Sequence, residues 1–128
     1  SFANGSGEWN NSGWSSSTNP SSCLNGEAGC FYSWGGNSSN MLTHTLSKSF
    51  QNVPSNTKVS FWYRVYAGGM NFSLKFNGIT IWTAPTVGFG GWTQEIVTLP
   101  QGGNFTLTFE SNIIGTSSMY IDQICIEP

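Results

Sequence analysis

TKVSFWYRVYAGGMNFSLKFNGITIW, residues 57–82, is the stretch from which strand, turn and facing can be read together. Within it, Phe76-Asn77-Gly78-Ile79 is a strong hairpin signal. A two-residue type I′ turn needs positive φ at both central positions, and Asn followed by Gly adopts it at little cost. The flanks alternate apolar and polar, as half-buried strands do. With Asn77 and Gly78 at the turn, Phe76 faces Ile79, Lys75 faces Thr80, Leu74 faces Ile81 and Ser73 faces Trp82. Phe72, Leu74, Phe76, Ile79 and Ile81 then point to a core, while Asn71, Ser73, Lys75, Thr80 and Trp82 point to solvent.

The preceding strand divides the same way. Val59, Phe61, Tyr63 and Val65 alternate with Ser60, Trp62, Arg64 and Tyr66, and Arg64 marks its side as outward. Ala67-Gly68-Gly69 then breaks the strand. The expectation is an outward patch of Trp62, Arg64, Tyr66 and Trp82.

Composition sets the outer limits. A chain of 128 residues holds one domain, read as residues 1–128, with a core of useful size. Charged residues make up 8% and the formal net charge is −2, so four Lys and Arg form no basic stripe for nucleic acid. No run approaches the ~18 apolar residues of a membrane span. No charged n-region with an apolar h-region opens the chain, which suggests a mature form starting at Ser1.

Two features favour secretion. Five Asn-x-Ser/Thr acceptor sites stand at Asn4, Asn10, Asn37, Asn71 and Asn104, although a chain rich in Asn, Ser and Thr generates such matches by chance. Cys23 and Cys30 bracket the turn-prone loop LNGEAG, which a disulfide would close, contributing up to roughly 3 kcal/mol. Cys125 is then left over as a small buried hydrophobe on an apolar strand. A bridge from Cys125 to either of the other two is the alternative.

Residues 1–40 are rich in Ser, Asn and Gly and read mainly as loops, with a short edge strand around Phe2. Trp9, Trp14, Phe31, Tyr32 and Trp34 are too apolar for a disordered tail, so this segment packs on the sandwich. From Met41 the alternation tightens through Leu42, His44 and Leu46. Residues 85–91 form a flexible loop. Residues 92–99 form a strand of unsettled facing, since Ile96 and Val97 are adjacent. Phe105, Leu107 and Phe109 alternate with Thr106, Thr108 and Glu110, and residues 119–126 close the domain. No stretch sustains a 3.6-residue period. The fold class is all-β, a single antiparallel β-sandwich with at most a helical turn.

These strands carry a resemblance. LSKSFQNVPSNTKVSFWYRV, FSLKFNG, GWTQEIVTLPQGGNFTLTFE and YIDQICI together resemble the jelly-roll sandwich modules of secreted and cell-surface proteins, among them MAM-type adhesion domains and carbohydrate-binding modules. SFANGSGEW is similar to the Phe-Glu-x-Gly start and following Trp of that group. The resemblance spans residues 41–126 well and the first 40 poorly, and it implies architecture more than activity. It also implies a structural calcium tying the N-terminal strand to an acid of the last strand. Asp122 matches that acid, but Ala3 stands where the N-terminal Glu is expected. Backbone carbonyls near Asn4 and Gly5 would have to complete the six to eight oxygens calcium takes. A plain hydrogen-bonded carboxylate is the simpler role for Asp122, and no cofactor is required.

Enzymatic parts are missing. His44 is the single histidine and reads as an imidazole on a strand edge. There is no Gly-x-Ser-x-Gly elbow and no phosphate-binding Gly-Lys-Ser/Thr loop. A glycosidase needs two facing carboxyl groups, and Glu95 with Glu110 is the pair whose strands could be adjacent. The reading that remains is a non-catalytic extracellular binding module for a glycan or a cell-surface polymer. Trp62, Tyr66 and Trp82 form its stacking platform, and Arg64, Asn71 and Lys75 bind hydroxyls. Trp9, Trp14 and Trp34 offer a second platform on a loop edge. The simpler reading has the N-terminal segment covering the patch as satellite core. The alternative function is a self-assembling subunit of an extracellular fibre or coat, joined by strand donation from the N-terminal segment. Asn71 shares the expected outer face with Trp82, so a glycan on Asn71 and a ligand on the platform would compete.

Overall fold

The computed structural model describes residues 9–17, 30–36, 38–66, 71–85 and 91–127. Ten strands follow in chain order: β1 (Asn10–Ser12), β2 (Ser15–Ser17), β3 (Cys30–Trp34), β4 (Ser38–Val53), β5 (Lys58–Tyr66), β6 (Asn71–Phe76), β7 (Ile79–Thr83), β8 (Thr93–Thr98), β9 (Gly103–Gly115) and β10 (Ser118–Glu127). They form two five-stranded antiparallel sheets. The first has the order β1-β4-β9-β6-β7 and the second β2-β3-β10-β5-β8. No helix occurs among the described residues, and the architecture is the antiparallel β-sandwich that the alternation implied, of the jelly-roll type that the resemblance implied.

The core lies between the sheets. Leu46, Phe72, Leu74, Leu107 and Phe109 of the first sheet meet Val59, Phe61, Val65, Met119 and Ile121 of the second, all buried. Phe61 is its hub, with ring centroids 4.9 Å from Phe109 and 5.0 Å from Trp82 in edge-to-face geometry. Each such buried ring contributes roughly 2–3 kcal/mol relative to exposure. The inward set read for β5 is therefore correct.

The hairpin turn is also as expected, with Asn77 at φ 49° and Gly78 at φ 82°. Its register is not. Phe76 pairs with Ile79 and Lys75 with Thr80, but then Leu74 pairs with Trp82 and Ser73 with Thr83. Ile81 is the extra residue of a β-bulge, and one extra residue reverses every facing beyond it. Trp82 thus turns into the sandwich, 5.3 Å from Tyr63 and 5.5 Å from Phe72 between ring centroids. Ile79, expected in the core, is 70% exposed at the end of an edge strand.

A second bulge, between Asp122 and Cys125 of β10, has Gln123 at φ 50°. It lets Ile124 and Ile126 pack against the core and turns Cys125 outward as a free, exposed thiol. Cys125 is therefore not the buried hydrophobe that unbroken alternation suggested.

The first 40 residues contain more strand than expected. Trp14, 4% exposed, belongs to the core and packs on Phe72. Asn11 fixes its corner, its amide donating to the Trp14 carbonyl and its side-chain oxygen accepting from the Trp14 N–H. Gly13, at φ 95°, lies against the imidazole of His44, where a Cβ would collide. Trp9 packs on Phe50 and Phe109. The strand expected around Phe2 and the loop at residues 86–90 lie outside the described residues.

Candidate functional site

The outer face of the second sheet carries a candidate site. On β5, the half-buried Trp62 and Arg64 alternate with the buried Phe61, Tyr63 and Val65, and the neighbouring strands continue the same face. Tyr120 of β10 lies directly opposite Arg64, and Tyr32 of β3 directly opposite Tyr120. Side chains directly opposite share a face. A row of four groups therefore crosses the strands: Tyr32, Tyr120, Arg64 and Trp92.

The contacts along this row are close. The Tyr32 and Tyr120 rings are 5.7 Å apart. The Arg64 guanidinium sits 4.5 Å from the Tyr120 centroid and 5.2 Å from that of Trp92. Cation–π attraction of this kind holds a long flexible side chain in one place, at about 0.5–1 kcal/mol where solvent reaches it. All four groups are half-buried, so part of each ring remains accessible. Trp34, 48% exposed, extends the face at the β3 side, and Trp62 lies one row away, opposite Asp122 and Gln94. The surface thus has apolar ring faces with a cation fixed among them.

The residues expected to form one platform are distributed over both sheets. Trp62 and Arg64 do share the outer face of the second sheet. The Tyr66 side chain lies outside the described part of the molecule, although its backbone pairs with Ser118. Trp82 points inward from the first sheet. Lys75, also on the first sheet, is ion-paired with Glu110 at 2.9 Å. The second expected platform dissolves, because Trp9 and Trp14 pack inward and Trp34 alone is exposed. Tyr32, Tyr120 and Trp92 did not enter the sequence-based site. The alternation Phe31-Tyr32-Ser33-Trp34 marks Tyr32 as outward, but no local signal places β3 and β5 on either side of β10.

Glu95 and Glu110 do not form the facing pair that the sequence allowed. Glu95 lies on β8 of the second sheet and Glu110 on β9 of the first, so the adjacency allowed by the sequence is absent. Asp122 is 1% exposed and accepts the Gln123 N–H at 2.8 Å. No group of three His, Cys, Asp or Glu suited to a metal occurs among the described residues. Asp122 alone would supply one carboxylate of the six to eight oxygens calcium takes. The carbonyls near Asn4 and Gly5 lie outside the described residues.

His44 does not sit idle on an edge. Ser33 of the second sheet hydrogen-bonds both His44 Nδ1 (2.7 Å) and Ser111 Oγ (2.6 Å) of the first, a polar bridge inside the sandwich. Burial pushes the imidazole below its ordinary pKa. Among the described residues no carboxylate is hydrogen-bonded to this imidazole, and the bridge ties the two sheets together.

No family profile and no curated protein matches the chain. Solved structures do. A family 61 carbohydrate-binding module solved with β-1,4-galactotriose is similar over 92% of this chain and 86% of its own, at 18% identity and TM-score 0.72. The K1 adhesin domain of Lys-gingipain from Porphyromonas gingivalis aligns over 94% and 90%, at 15% identity and TM-score 0.67. A family 16 carbohydrate-binding module aligns over 91% and 86%, at 15% identity and TM-score 0.60. The chain has the jelly-roll sandwich fold seen in carbohydrate-binding modules and adhesin domains.

Proposed function

We propose that the chain is a non-catalytic, extracellular carbohydrate-binding module that receives a glycan on the outer face of its second sheet. The row Tyr32–Tyr120–Arg64–Trp92 is the observation that carries this reading. Sugar rings present apolar C–H groups that stack on aromatic faces, and a positioned guanidinium donates to hydroxyls. Trp62 and Trp34 enlarge the platform. The galactotriose bound by the similar family 61 module supports the class of partner, and the separation of Glu95 from Glu110 supports the absence of hydrolysis.

Glycan-array screening followed by calorimetry tests this. Binding of roughly micromolar to millimolar strength is expected, with β-1,4-galactotriose as the first probe. Trp92→Ala or Tyr120→Ala should weaken it at least about tenfold with little change in thermal stability. An array without a single binding glycan would overturn the reading.

Three further assignments belong to the same proposal. Cys23 bridges Cys30, supported by Cys125 being the free thiol among the described residues. Calcium joins Asp122 to the N-terminal segment, supported by the burial of that carboxylate. Asn4, Asn10, Asn37, Asn71 and Asn104 are the glycan acceptors of a secreted chain. Non-reducing peptide mapping checks the first and third, and a calcium-dependent rise in melting temperature checks the second.

Edge association is a second reading, favoured by one observation. Ile79 and Ile96, on the edge strands β7 and β8, are 70% and 54% exposed. Polymers visible by light scattering without any sugar would favour a fibre or coat subunit, and a monodisperse monomer would exclude it.

A further inference from the structure

The sandwich has four edge strands, and three of them are guarded against pairing. β1 and β2 are three residues long, too short to recruit another strand. On β8, Glu95 lies directly opposite the core residue Phe61, and an inward-pointing charge on an edge strand discourages pairing. β7 is different. Ile79-Thr80-Ile81-Trp82-Thr83 carries no charge and no proline, and each residue is β-branched or aromatic. No strand among the described residues pairs with its outer side.

A cavity of about 330 Å³ opens beside this strand, lined by Phe76, Asn77, Ile79, Ile81, Pro100 and Gln101. The Ile81 bulge is what brings Ile79 and Ile81 to one cavity. Its wall is pinned at the hairpin turn. The Asn77 N–H donates to the Thr106 carbonyl, and the Asn77 side-chain oxygen accepts from the Thr106 N–H, both at 2.9 Å. The hole is therefore preformed. No charged residue lines it, and its one ring, Phe76, is 5% exposed, so it lacks the open aromatic face on which a sugar stacks. An aliphatic side chain suits it. Ile79, 70% exposed at the rim, is such a side chain. A knob and a hole on the same strand make the edge self-complementary about a two-fold axis.

We propose that β7 pairs antiparallel with β7 of a second copy, Thr80 opposite the partner's Thr80 and Ile79 opposite the partner's Ile81. Each Ile79 then seats at the other copy's cavity. The facing pairs are Thr–Thr and Ile–Ile, both favourable across strands, and no like charges meet. The two first sheets join into one continuous sheet. The two-fold stands perpendicular to that sheet, so both aromatic rows face the same way. This inference rests on the edge-association reading, narrowed to a closed pair, and is independent of glycan binding.

Sedimentation velocity over a concentration series, without sugar, reads the pairing. Cys125→Ser serves as background, because that exposed thiol would form disulfides of its own. A monomer–dimer equilibrium is expected. Ile79→Lys places two ammonium groups at the seam and should move its midpoint at least about tenfold to higher concentration. The melting temperature should stay within about 2 °C, since the replaced side chain is exposed. Oxidised Thr80→Cys should cross-link two copies, because residues directly opposite lie within disulfide reach, and Thr83→Cys should not. A monomer at every concentration overturns the pairing and the edge-association reading together; if it binds a neutral strand-forming peptide instead, the edge serves a foreign strand. Polymers beyond the dimer overturn the closed pair and leave edge association standing. A dimer unmoved by Ile79→Lys, or cross-linked through Thr83→Cys rather than Thr80→Cys, has another seam and overturns this one.

Discussion

The two sheets share one core, but their outer faces are unlike. On the first, Thr43 donates to Asn112 at 2.8 Å, Ser49 pairs with Thr106 at 2.8 Å, and Lys75 meets Glu110 at 2.9 Å. Polar side chains there satisfy one another and water, which is the ordinary condition of an antiparallel sheet with one wet face. On the second, Arg64 lies over Tyr120 and Trp92, and Tyr32, Trp62 and Trp34 share the face. Grouped aromatic surface of this sort is common where proteins meet a partner. The difference is the reason the proposed glycan contact is placed on the second face.

The largest expected effect tests which face Trp82 serves. If it is part of the core, Trp82→Ala should cost about 3 kcal/mol, lowering the melting temperature by roughly 10 °C in a domain of this size. A melting temperature within about 2 °C of wild type would return Trp82 to the surface and restore the unbulged hairpin.

A smaller effect concerns the link between the sheets through Ser33, His44 and Ser111. Because folding lowers the His44 pKa, the unfolded chain binds a proton more readily than the folded one. Stability should therefore fall as pH drops below the ordinary imidazole value, until the lower folded pKa is passed. His44→Asn should flatten that slope. An unchanged slope would mean that another group sets the acid limit.

The smallest effect belongs to the wet face. Lys75→Ala removes a partly exposed ion pair and should cost no more than about 1 kcal/mol, with glycan binding unchanged. A tenfold loss of affinity would move the ligand to the first sheet and reverse the comparison.

The sequence made the architecture legible wherever strands alternate without interruption. Val59 to Val65 and Phe105 to Phe109 declare their faces residue by residue, and Asn77-Gly78 declares its turn. Legibility ended at the bulges. Nothing in ITIW says that Ile81 will be the extra residue; the preference comes from the space beside Phe61 and Phe72 that an indole fills. The same holds for Gln123, which decides whether Cys125 faces in or out. Trp14 was obscured by its polar neighbours, whose effect on local composition hides an anchor held by Asn11. The site itself depends on β10 lying between β3 and β5, a pairing of segments far apart in sequence that no local pattern encodes. Trp62 and Arg64 were within reach for that reason, and Tyr32, Tyr120 and Trp92 were not.

The Ile81 bulge has a consequence for how the surface could be decorated. With Trp82 turned inward, the acceptor Asn71, exposed at the start of β6, no longer shares a face with any tryptophan of the proposed platform. Asn71 pairs with Asn112 on the first sheet, across the thickness of the sandwich from Arg64 and Tyr120. A covalent glycan there would shade the wet side and leave the aromatic side open. One inserted residue thus turns two mutually exclusive uses of a surface into two independent ones: under the proposed function, a coat on the back would leave the front free to read.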